Sequence, residues 1–478
     1  MSISGALNNA ISGLTTTSRM AEITSSNLSN ALTDGYGRRS LDLSAAELGG
    51  VRATGVHRHV DAGLLADRRL ADAALGGQQR SAGMLARLEQ TIGTPEDQGG
   101  IGARLAALEQ ALISASSDPA SENRLRNVAG RLQDVTDTLN GNARQIQTLR
   151  VEADRAIADD INDLNNALVQ VGDLNRDIQR LKSTGSDISP LLDARQKVVD
   201  KIAEIVPVRE VRRDNDTIGL MTVSGMTLLD GRPAQFGFQP TPTITADMTL
   251  ASGALSGVTR DGVSLDPAGG IGRLDGGTLG ASFALRDRTL VDAQAGLDNV
   301  AADLIARFQD PATDPTLMAG DAGLLTDQGN PLDPLDLPGL AGRIGMNASI
   351  DPAQGGDVTR LRDGLNAAAP GPTGSPAQID RWLSALGESR ADLPGTPARS
   401  AAGRAADFIR DVGQTRLQAD ETLSFAAARH DTLREAELAQ GVDSDQELQT
   451  LLRVEQAYAA NARVIQTIDF MMQRLMEI

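Results

Sequence analysis

The side chains that most often perform chemistry in proteins are scarce in this sequence of 478 residues. It has no cysteine, so a thiol nucleophile, a disulfide and a zinc–thiolate site are all excluded. Of its three histidines, His57 and His59 are one residue apart on a strand-like stretch and could face one side to bind a metal, whereas His430 is distant in sequence. Since no other ligand accompanies the pair, we interpret it as two exposed side chains and predict no metal site.

Acidic residues are numerous but are not spaced as a known site. Six aspartates superficially resemble a calcium loop: Asp310, Asp314, Asp321, Asp327, Asp333 and Asp336. They lack the spacing of a twelve-residue loop with ligands at alternate positions and a closing Glu, so we interpret them as solvated loop residues. The glycines near residues 100 and 270 fit neither common phosphate-binding motif. We therefore predict no catalytic residue, no cofactor and no enzymatic activity.

The overall charge argues against two classes of partner. The formal net charge is −18, whereas nucleic acids and anionic membranes both attract basic surfaces. The first residues lack the basic and apolar regions of a secretory signal, and no apolar run of about 18 residues could span a bilayer. We expect no nucleic-acid partner and no membrane partner, and we expect any secretion to proceed without a cleavable signal peptide.

The sequence predicts a mainly α-helical fold. Aromatic residues make up only 2% of the chain, so Ala, Leu, Val and Ile must fill the interior, which favours helix packing over an aromatic-lined pocket. Apolar residues recur at helical spacing over 61–92, 101–115 and 119–182, with Pro119 placed at the first helical position. The longest stretch has no internal proline and would measure about 95 Å at about 1.5 Å per residue. These helices indicate a long rod.

Both ends of the chain carry a narrow apolar stripe that advances in alternating steps of three and four residues, which requires another helix as a partner. Ala and Thr fill much of the N-terminal stripe, and each buries far less than the roughly 1.5–3 kcal/mol of a Leu or Ile. The two stripes include Ile3, Leu7, Leu14 and Leu28, and then Leu451, Val454, Tyr458, Asn461, Ile465, Ile468, Met472 and Leu475. We predict that 1–33 and 444–478 form an assembly interface that includes Asn461, which either sets the register or lies at the edge of a broader interface. We also predict that Ser444 and Glu447 form a capping box.

The changes of pattern along the chain predict four regions. Short β-leaning pieces follow Pro207, and a stretch dense in Pro, Gly and Asp follows residue 310. The predicted regions are a terminal helical assembly domain (1–45 plus 441–478), a helical rod domain (46–207 plus 281–309 plus 401–440), a small β-rich region (208–280) and a loop-rich outer insertion (311–400).

Motifs at both ends resemble those of a known family, the bacterial flagellar rod, hook and hook-associated proteins. The N-terminal motif comprises Asn27, Leu28, Ser29, Asn30 and Ala31, followed by Gly35, Tyr36 and Arg38 or Arg39. The C-terminal motif comprises Gly441, Val442, Asp443, Glu447, Gln456, Ala457, Tyr458, Ala460, Asn461, Ala462, Val464, Ile465 and Thr467. The resemblance adds Asn30, Gly35 and Tyr36 to the expected interface.

The interior is similar to the members of that family that join hook to filament. The similar segments are 118–120 with the long stripe after it, 191–195, 276–280 and 286–287. Asp310 and Pro311 stand where these members often carry a segment rich in Asn and His, which implies a reduced outer domain.

The resemblance implies an extracellular structural subunit of the flagellum. Such a subunit would be exported unfolded through the flagellar type III apparatus and would assemble as a ring of identical copies on the distal end of the hook. The implied partners are hook protein, hook-associated protein 3 and a flagellar export chaperone on the C-terminal helix. Two alternatives remain open: a hook or distal rod protein, and a secreted enzyme with flagellar-type ends and its activity in 310–400.

Overall fold

The computed structural model describes residues 3–33, 35–47, 49–94, 97–266, 270–391 and 397–476, without the side chain of Leu475. The mainly α-helical fold predicted from the sequence is confirmed. The helices are α1 Ile3–Ser29, α2 Ala62–Ile92, α3 Ile101–Ser117, α4 Glu122–Ser183, α5 Ser189–Ile205, α6 Gly277–Ala284, α7 Leu290–Gln309, α8 Arg360–Asp363, α9 Ala377–Gly387, α10 Ala401–Ala439 and α11 Ser444–Met476. None of these helices has the length and apolar character needed to cross a membrane.

The strands are short and form four small antiparallel sheets in the described part of the chain. They are β1 Arg38–Ala45, β2 Val51–His59, β3 Val208–Arg212, β4 Ile218–Thr222, β5 Thr227–Asp230, β6 Arg232–Pro233, β7 Phe236–Gly237, β8 Thr259–Arg260, β9 Val263–Ser264, β10 Leu325–Asp327 and β11 Ile344–Met346. The sheets have the strand orders β1-β2, β3-β4-β5-β6, β7-β8-β9 and β10-β11. Strands β1 and β2 form a hairpin that pairs Leu41 with Val56 and has a register shift after Asp42.

Helix α4 is the long helix that the sequence predicts, with 62 residues and a length of about 93 Å at about 1.5 Å per residue. The predicted start at Pro119 is wrong, because the helix begins at Glu122 with Ser121 at the N-cap. Asp118 has φ −152° and ψ 79°, outside the helical region that a following proline disfavours, and the Ser121 amide donates to the Asp118 carbonyl over 3.2 Å. A turn therefore separates α3 from α4.

Two hydrophobic cores lie along α4. The first core takes the apolar faces of α2, α3, the first half of α4, α7 and α10, together with buried side chains from 317–386. In it the indole of Trp382 packs edge-to-face on Phe308 at 5.8 Å and donates from Nε1 to the Leu361 carbonyl over 3.0 Å. The described parts of 311–400 thus share a core with the helices, while the division into four domains stays a prediction.

The second core takes the other half of α4, α5, the sheets formed by β3 to β9, and α6. Leu220 and Leu229 face each other across β4 and β5 and are buried. Two asparagines on α4 each form a pair of hydrogen bonds with the backbone of one strand residue, at 2.8–3.2 Å. The side chain of Asn165 accepts from the amide and donates to the carbonyl of Phe236, and that of Asn175 does the same with Ile218. These amide pairs attach the small sheets to the rod.

A five-residue π turn, Leu285–Thr289, joins α6 to α7. At this turn Arg286 is fully buried, and its Nη1 donates to Asp154 on α4 over 2.6 Å. The side chain of Arg286 lies against the rings of Phe283 and Phe238 at 4.8 and 5.5 Å. The guanidinium of Arg150 donates from Nε to the Arg286 carbonyl over 3.0 Å. The sequence predicts a helix over about 281–309, and the structure is helical without a break over 277–309, with a π-helical segment at this buried charged cluster.

Helix α6 begins at Gly277, where the backbone approaches α5 too closely for a side chain. Gly277 has φ +60°, and a Cβ there would lie 2.3 Å from the Ile205 carbonyl oxygen. We expect Gly277→Ala to lower the free energy of unfolding by about 2–3 kcal/mol, because the variant would combine left-handed strain with a backbone clash. Urea denaturation followed by circular dichroism measures this change.

The matched control is Gly130→Ala in the exposed interior of α4. A Cβ at Gly130 meets no atom within 4 Å, so this change should raise stability by up to about 1 kcal/mol. Equal effects of the two substitutions would contradict a specific steric role for Gly277.

Candidate functional site

The two terminal helices lie antiparallel against each other. Asn27 near the end of α1 hydrogen-bonds Glu447 near the start of α11, and Gly13 in the middle of α1 lies against Asn461 in the second half of α11. Each terminal helix thus provides the partner that the stripe of the other requires. Contacts with neighbouring subunits stay a prediction.

The predicted interface residues have very different burial in this pair. Val454 and Ile468 are buried, and Tyr458 and Met472 are 45% and 46% exposed. The side chain of Leu475 lies outside the described part of the chain. The remaining predicted residues are partly buried: Ile3, Leu7, Leu14, Leu28, Asn30, Gly35, Tyr36, Leu451, Asn461 and Ile465.

Asn461 packs on a glycine. A Cβ at Gly13 would lie 2.7 Å from Nδ2 of Asn461, so the absence of a side chain at this position lets the two helices approach closely. Of the two roles considered for Asn461, this contact favours setting the register, because a shift along the helix would place its amide against a larger side chain.

Asn27 is the centre of a buried hydrogen-bond network that joins both terminal helices to the hairpin. Its Oδ1 accepts from the Tyr36 hydroxyl at 2.9 Å and from the Arg39 amide at 3.0 Å. Its Nδ2 donates to the Arg39 carbonyl at 2.9 Å and to Oε2 of Glu447 at 3.1 Å. Arg38 donates to the other oxygen of Glu447 at 2.7 Å. Asn27 and Glu447 are each only 1% exposed, so the bond between them forms away from water.

The predicted capping box of Ser444 and Glu447 is wrong. Oδ1 of Asp443 accepts from the amides of Asp445 and Gln446, at 2.9 and 3.1 Å, and thus caps α11. The carboxylate of Glu447 is instead bound by Asn27 and Arg38. The C-terminal sequence motif contains Asp443 and Glu447. Its local spacing does not indicate that Glu447 binds Asn27 and Arg38, which lie more than 400 residues away in the chain.

We expect Glu447→Gln to loosen the attachment of α11 to the hairpin. The glutamine amide would lose the charge-assisted bond from the partly exposed Arg38 within an otherwise buried network, at a cost of about 1–3 kcal/mol. Hydrogen exchange of α11 and of β1 should then speed up together by about tenfold or more. The matched control is Glu455→Gln on an exposed position of the same helix, and equal exchange in both variants would contradict this role.

A second buried carboxylate joins the hairpin to the rod. Asp193 on α5 accepts from Arg39 and Arg58, each at 2.6 Å, and from the Gly37 amide at 3.1 Å. Arg58 also donates to the Gln196 side chain. The hairpin is thus held through Arg38 by the terminal helices and through Arg39 and Arg58 by the rod. The segment 191–195 is part of the family resemblance, but the sequence alone does not indicate that Asp193 binds two arginines of the hairpin.

A charged cluster holds α10 against α2 and α5. The guanidinium of Arg68 forms ion pairs with Asp72, Asp200 and Glu437 at 2.6–2.7 Å, and His430 lies 3.3 Å from Asp72. Burial raises the pKa of the Asp72 and Glu437 carboxyls, although the charge of Arg68 acts in the opposite direction. We interpret this cluster as a structural contact between three helices, because its members are ion-paired.

The histidines and aspartates considered for chemistry have structural partners. The rings of His57 and His59 are in edge contact at 4.7 Å, and burial followed by the charge of His57 lowers the pKa of His59. Within the described residues, no group of three or more His, Asp or Glu side chains is arranged to hold a metal ion. Asp314 accepts from the Thr316 and Leu365 amides, at 3.0 and 2.9 Å. Asp327 pairs with an arginine at 3.0 Å. The acids of this region build its loops.

Large apolar side chains remain exposed on the outer surface of the terminal pair. They are Ile11 on α1, and Leu448, Leu452, Tyr458, Val464, Phe470, Met471, Met472 and Met476 on α11. Large apolar side chains exposed in such numbers on one helix indicate a site of interaction with other proteins. This outer surface is the candidate functional site of the described chain.

Comparison with protein families identifies the rod. Residues 85–324 match the model of the flagellar hook-associated protein FlgK helical domain. The chain belongs to this family. Residues 439–478 match a second model, described as flagellar basal body rod FlgEFG protein C-terminal, and this match includes all of α11.

The curated relatives are flagellar hook-associated protein 1 from several bacteria. The Salmonella typhimurium protein is 27% identical over 276 residues, which cover 52% of this chain and 48% of the relative. The Escherichia coli protein is 26% identical over a match that covers 67% of this chain and 59% of the relative. The Bacillus subtilis protein is 20% identical over a match that covers 95% of this chain and 94% of the relative. The chain thus spans about half the length of the Salmonella relative that it matches.

A solved structure has the same fold. The flagellar hook junction protein FlgK from Burkholderia pseudomallei superposes with a TM-score of 0.59 and 13% identity, over 79% of this chain and 99% of that one. At this identity the likeness concerns the fold alone.

Proposed function

We propose that this protein is a non-enzymatic structural subunit of the extracellular bacterial flagellum that joins hook to filament. Its copies form a ring through residues 1–33 and 444–478, which gain their final order when neighbouring subunits cover them. Its partners are hook protein on one side, hook-associated protein 3 on the other and a flagellar export chaperone before secretion. It leaves the cell unfolded by type III export, without a cleavable signal peptide.

The observation that carries this proposal is the poor internal packing of the terminal pair. Among the described residues of α1 and α11, the buried apolar side chains are Ala10, Val454 and Ile468. Fixing the backbone costs roughly 1–2 kcal/mol per residue, whereas each fully buried large aliphatic side chain returns only about 1.5–3 kcal/mol. Neighbouring copies that cover the exposed apolar surface would supply the missing burial.

The comparisons favour the junction over the two alternatives. A hook or distal rod protein would share the match at 439–478, but the match at 85–324 is to a hook-associated helical domain. A secreted enzyme would need a site in 310–400, where the buried Trp382 and Asp314 serve packing and loop structure.

Hydrogen exchange of the purified monomer and of the protein assembled on hooks tests the proposal. In the monomer, amides of α1 and α11 should exchange at least a hundredfold faster than those in the middle of α4, and they should become protected on assembly. Terminal helices that are fully protected in the free monomer would contradict coupled folding. In a strain that lacks its own junction protein, expression of this chain should restore filaments, and failure to do so would contradict the junction function.

A further inference from the structure

The last part of α10, residues 420–439, is attached to the rod with few apolar side chains. All buried residues of α10 lie between Ala401 and Ala419. Beyond them every residue of the helix is partly buried or exposed, and several of the partly buried ones are alanines, such as Ala426 and Ala436. A surface hollow of about 340 Å³ also separates this part of α10 from α2. The attachment therefore depends heavily on charged side chains.

Arg68 on α2 binds three carboxylates from three helices. Its guanidinium pairs with Asp72 on α2 and with Asp200 on α5, at 2.6 and 2.7 Å, and its Nε lies 2.6 Å from Glu437 on α10. We call these four residues, together with His430, the Arg68 cluster. Arg68 and Asp72 are only 7% and 8% exposed, so water screens their charges weakly.

The carboxylates around Arg68 outnumber the arginines. Asp200 also pairs with Arg69 at 2.6 Å, and Arg69 in turn pairs with Glu210 on β3 at 2.7 Å. The two guanidiniums therefore face four carboxylates, which leaves two negative charges in excess. The other charged side chains nearby, three acidic and two basic, do not remove this excess: Asp67, Glu204, Arg429, Asp431 and Arg434.

His430 on α10 lies between two of the carboxylates. Its Nε2 is 3.3 Å from Oδ1 of Asp72, and its Nδ1 is 3.0 Å from Oδ1 of Asp431. A neutral imidazole has one N–H and can donate to one of these carboxylates, whereas the charged form donates to both. Histidine is the side chain that ordinarily gains its charge between about pH 8 and pH 5. Acidification thus adds a cation where positive charge is lacking.

Protonation of the carboxyls acts in the same direction. Burial raises the pKa of the Asp72 and Glu437 carboxyls, and the charge of Arg68 offsets this rise only in part. When α10 detaches, water reaches both groups, and their pKa returns towards the ordinary value of about 4. A carboxyl whose pKa is higher in the attached state binds its proton more tightly there. Attachment therefore strengthens as the pH falls through the raised pKa, and this gain is lost as the pH rises.

We propose that the Arg68 cluster makes the attachment of α10 to the rod pH-dependent, so that residues 420–439 detach readily at about pH 8 and are held at about pH 5. Residues 440–443 connect α10 directly to α11, so this attachment also determines how firmly the terminal pair is held to the rod. The second attachment, through Asp193 and the hairpin, remains in both conditions. The property belongs to the single chain and does not depend on the proposed assembly.

Hydrogen exchange of the purified monomer at about pH 8 and about pH 5 tests the proposal, with each rate divided by the intrinsic rate at that pH. Amides of 420–439 should be protected at least about tenfold more strongly at the lower pH, which a shift of one pKa unit in a single group would produce. Amides of 401–412 in the first core should keep their protection within about threefold. Equal protection of 420–439 at both pH values would overturn the proposal.

Two variants change the cluster from opposite sides of the contact. His430→Gln/Glu437→Gln removes the titrating groups of α10 and should reduce the pH effect on 420–439 from about tenfold to about threefold or less. Asp72→Asn removes one carboxylate from α2 and should raise the protection of 420–439 at about pH 8 by about threefold or more. A full pH effect in the double variant, or protection in Asp72→Asn no higher than in the unaltered protein, would overturn the proposal.

The matched control is His57→Gln/Glu435→Gln, which makes the same changes as the double variant at exposed positions of the hairpin and of α10. It should keep the full pH effect. Loss of the effect in this control would show that the overall charge, and not the Arg68 cluster, is responsible.

Salt separates repulsion among carboxylates from ordinary ion pairing. Sodium chloride at about 0.5 M screens partly exposed charges, so it should raise the protection of 420–439 at about pH 8 by about threefold or more. Ion pairs without an excess of like charge would be weakened by salt, and a fall in protection would therefore overturn the proposal. None of these measurements involves assembly on hooks, so a negative result leaves the proposed function standing.

Discussion

Arg286→Met should lower the free energy of unfolding by about 3–5 kcal/mol. Arg286 and Asp154 are both fully buried, and Nη1 lies 2.6 Å from Oδ1. Methionine fills much of the same volume but removes the charge, so that, among the described residues, Asp154 would keep the amide of Thr241, at 2.6 Å, as its one hydrogen-bond donor. The substitution also frees the Ser256 carbonyl, which Arg286 binds at 3.1 Å. Urea denaturation followed by the fluorescence of the single tryptophan, Trp382, reports on the first core and measures the change.

Two further variants separate a lost charge pair from lost packing. Arg126→Met removes an exposed pair with Glu122 on the surface of α4 and should change stability by no more than about 1 kcal/mol. Arg286→Met combined with Asp154→Leu should recover part of the loss, because no buried charge then remains between these two positions. If Arg286→Met unfolds at the same urea concentration as the unaltered protein, the buried pair does not stabilise the junction of α6 and α7.

Ile465→Asp should abolish assembly on the hook while leaving 80–205 folded. Ile465 is partly buried between the terminal helices, three residues before the buried Ile468. A carboxylate placed there would have to lose its hydration or separate α11 from α1, and the weakly packed pair cannot offset that cost. Electron microscopy of hooks measures assembly, and hydrogen exchange of α4 reports on the rod.

The control for this variant is Gln466→Asp, which adds the same charge at the next, exposed position of α11. It should assemble normally. Filaments of normal length in the Ile465→Asp strain would refute a role for the seam between α1 and α11. A loss of protection in α4 would show instead that the substitution unfolds the whole protein.

The helices could be predicted from the sequence because their signal is local. The apolar period of α4 extends over dozens of residues, and its buried stripe from Leu125 to Ile178 follows that period closely. The ends were less predictable. Pro119 suits both a first helical turn and a β-turn, and only the packing of α3 against α4 selects the turn.

The networks that hold the assembly region could not be predicted, because their partners are far apart in the chain. Glu447 and Asn27 are 420 residues apart, and Arg39 and Asp193 are 154 residues apart. No periodicity links such residues, and each side chain alone resembles an ordinary surface residue. The family motifs identified Asn27 and Glu447 as members of a signature without indicating that they bind each other.

The structure of the region from 311 to 400 could not be predicted from its sequence, because it depends on contacts with other segments of the chain. Its short elements have little helical or strand periodicity, yet Trp382, Leu361 and Leu365 are buried in the first core. Fully buried Arg307 on α7 donates to the carbonyls of Ala385 and Glu388, each at 2.7 Å. A segment that is held by the side chains of distant helices gives no regular pattern in its own sequence.

The π turn at Leu285–Thr289 sets the rotational phase of the helices on either side of it. Leu279 and Phe283 on α6 point into the second core, whereas Leu290 and Leu297 on α7 point into the first. One surplus residue in a π turn offsets the following helix by about 100° around its axis. Deleting any single residue of this turn would cancel that offset and rotate α7 away from Trp382, so the length of the segment matters as much as its buried side chains.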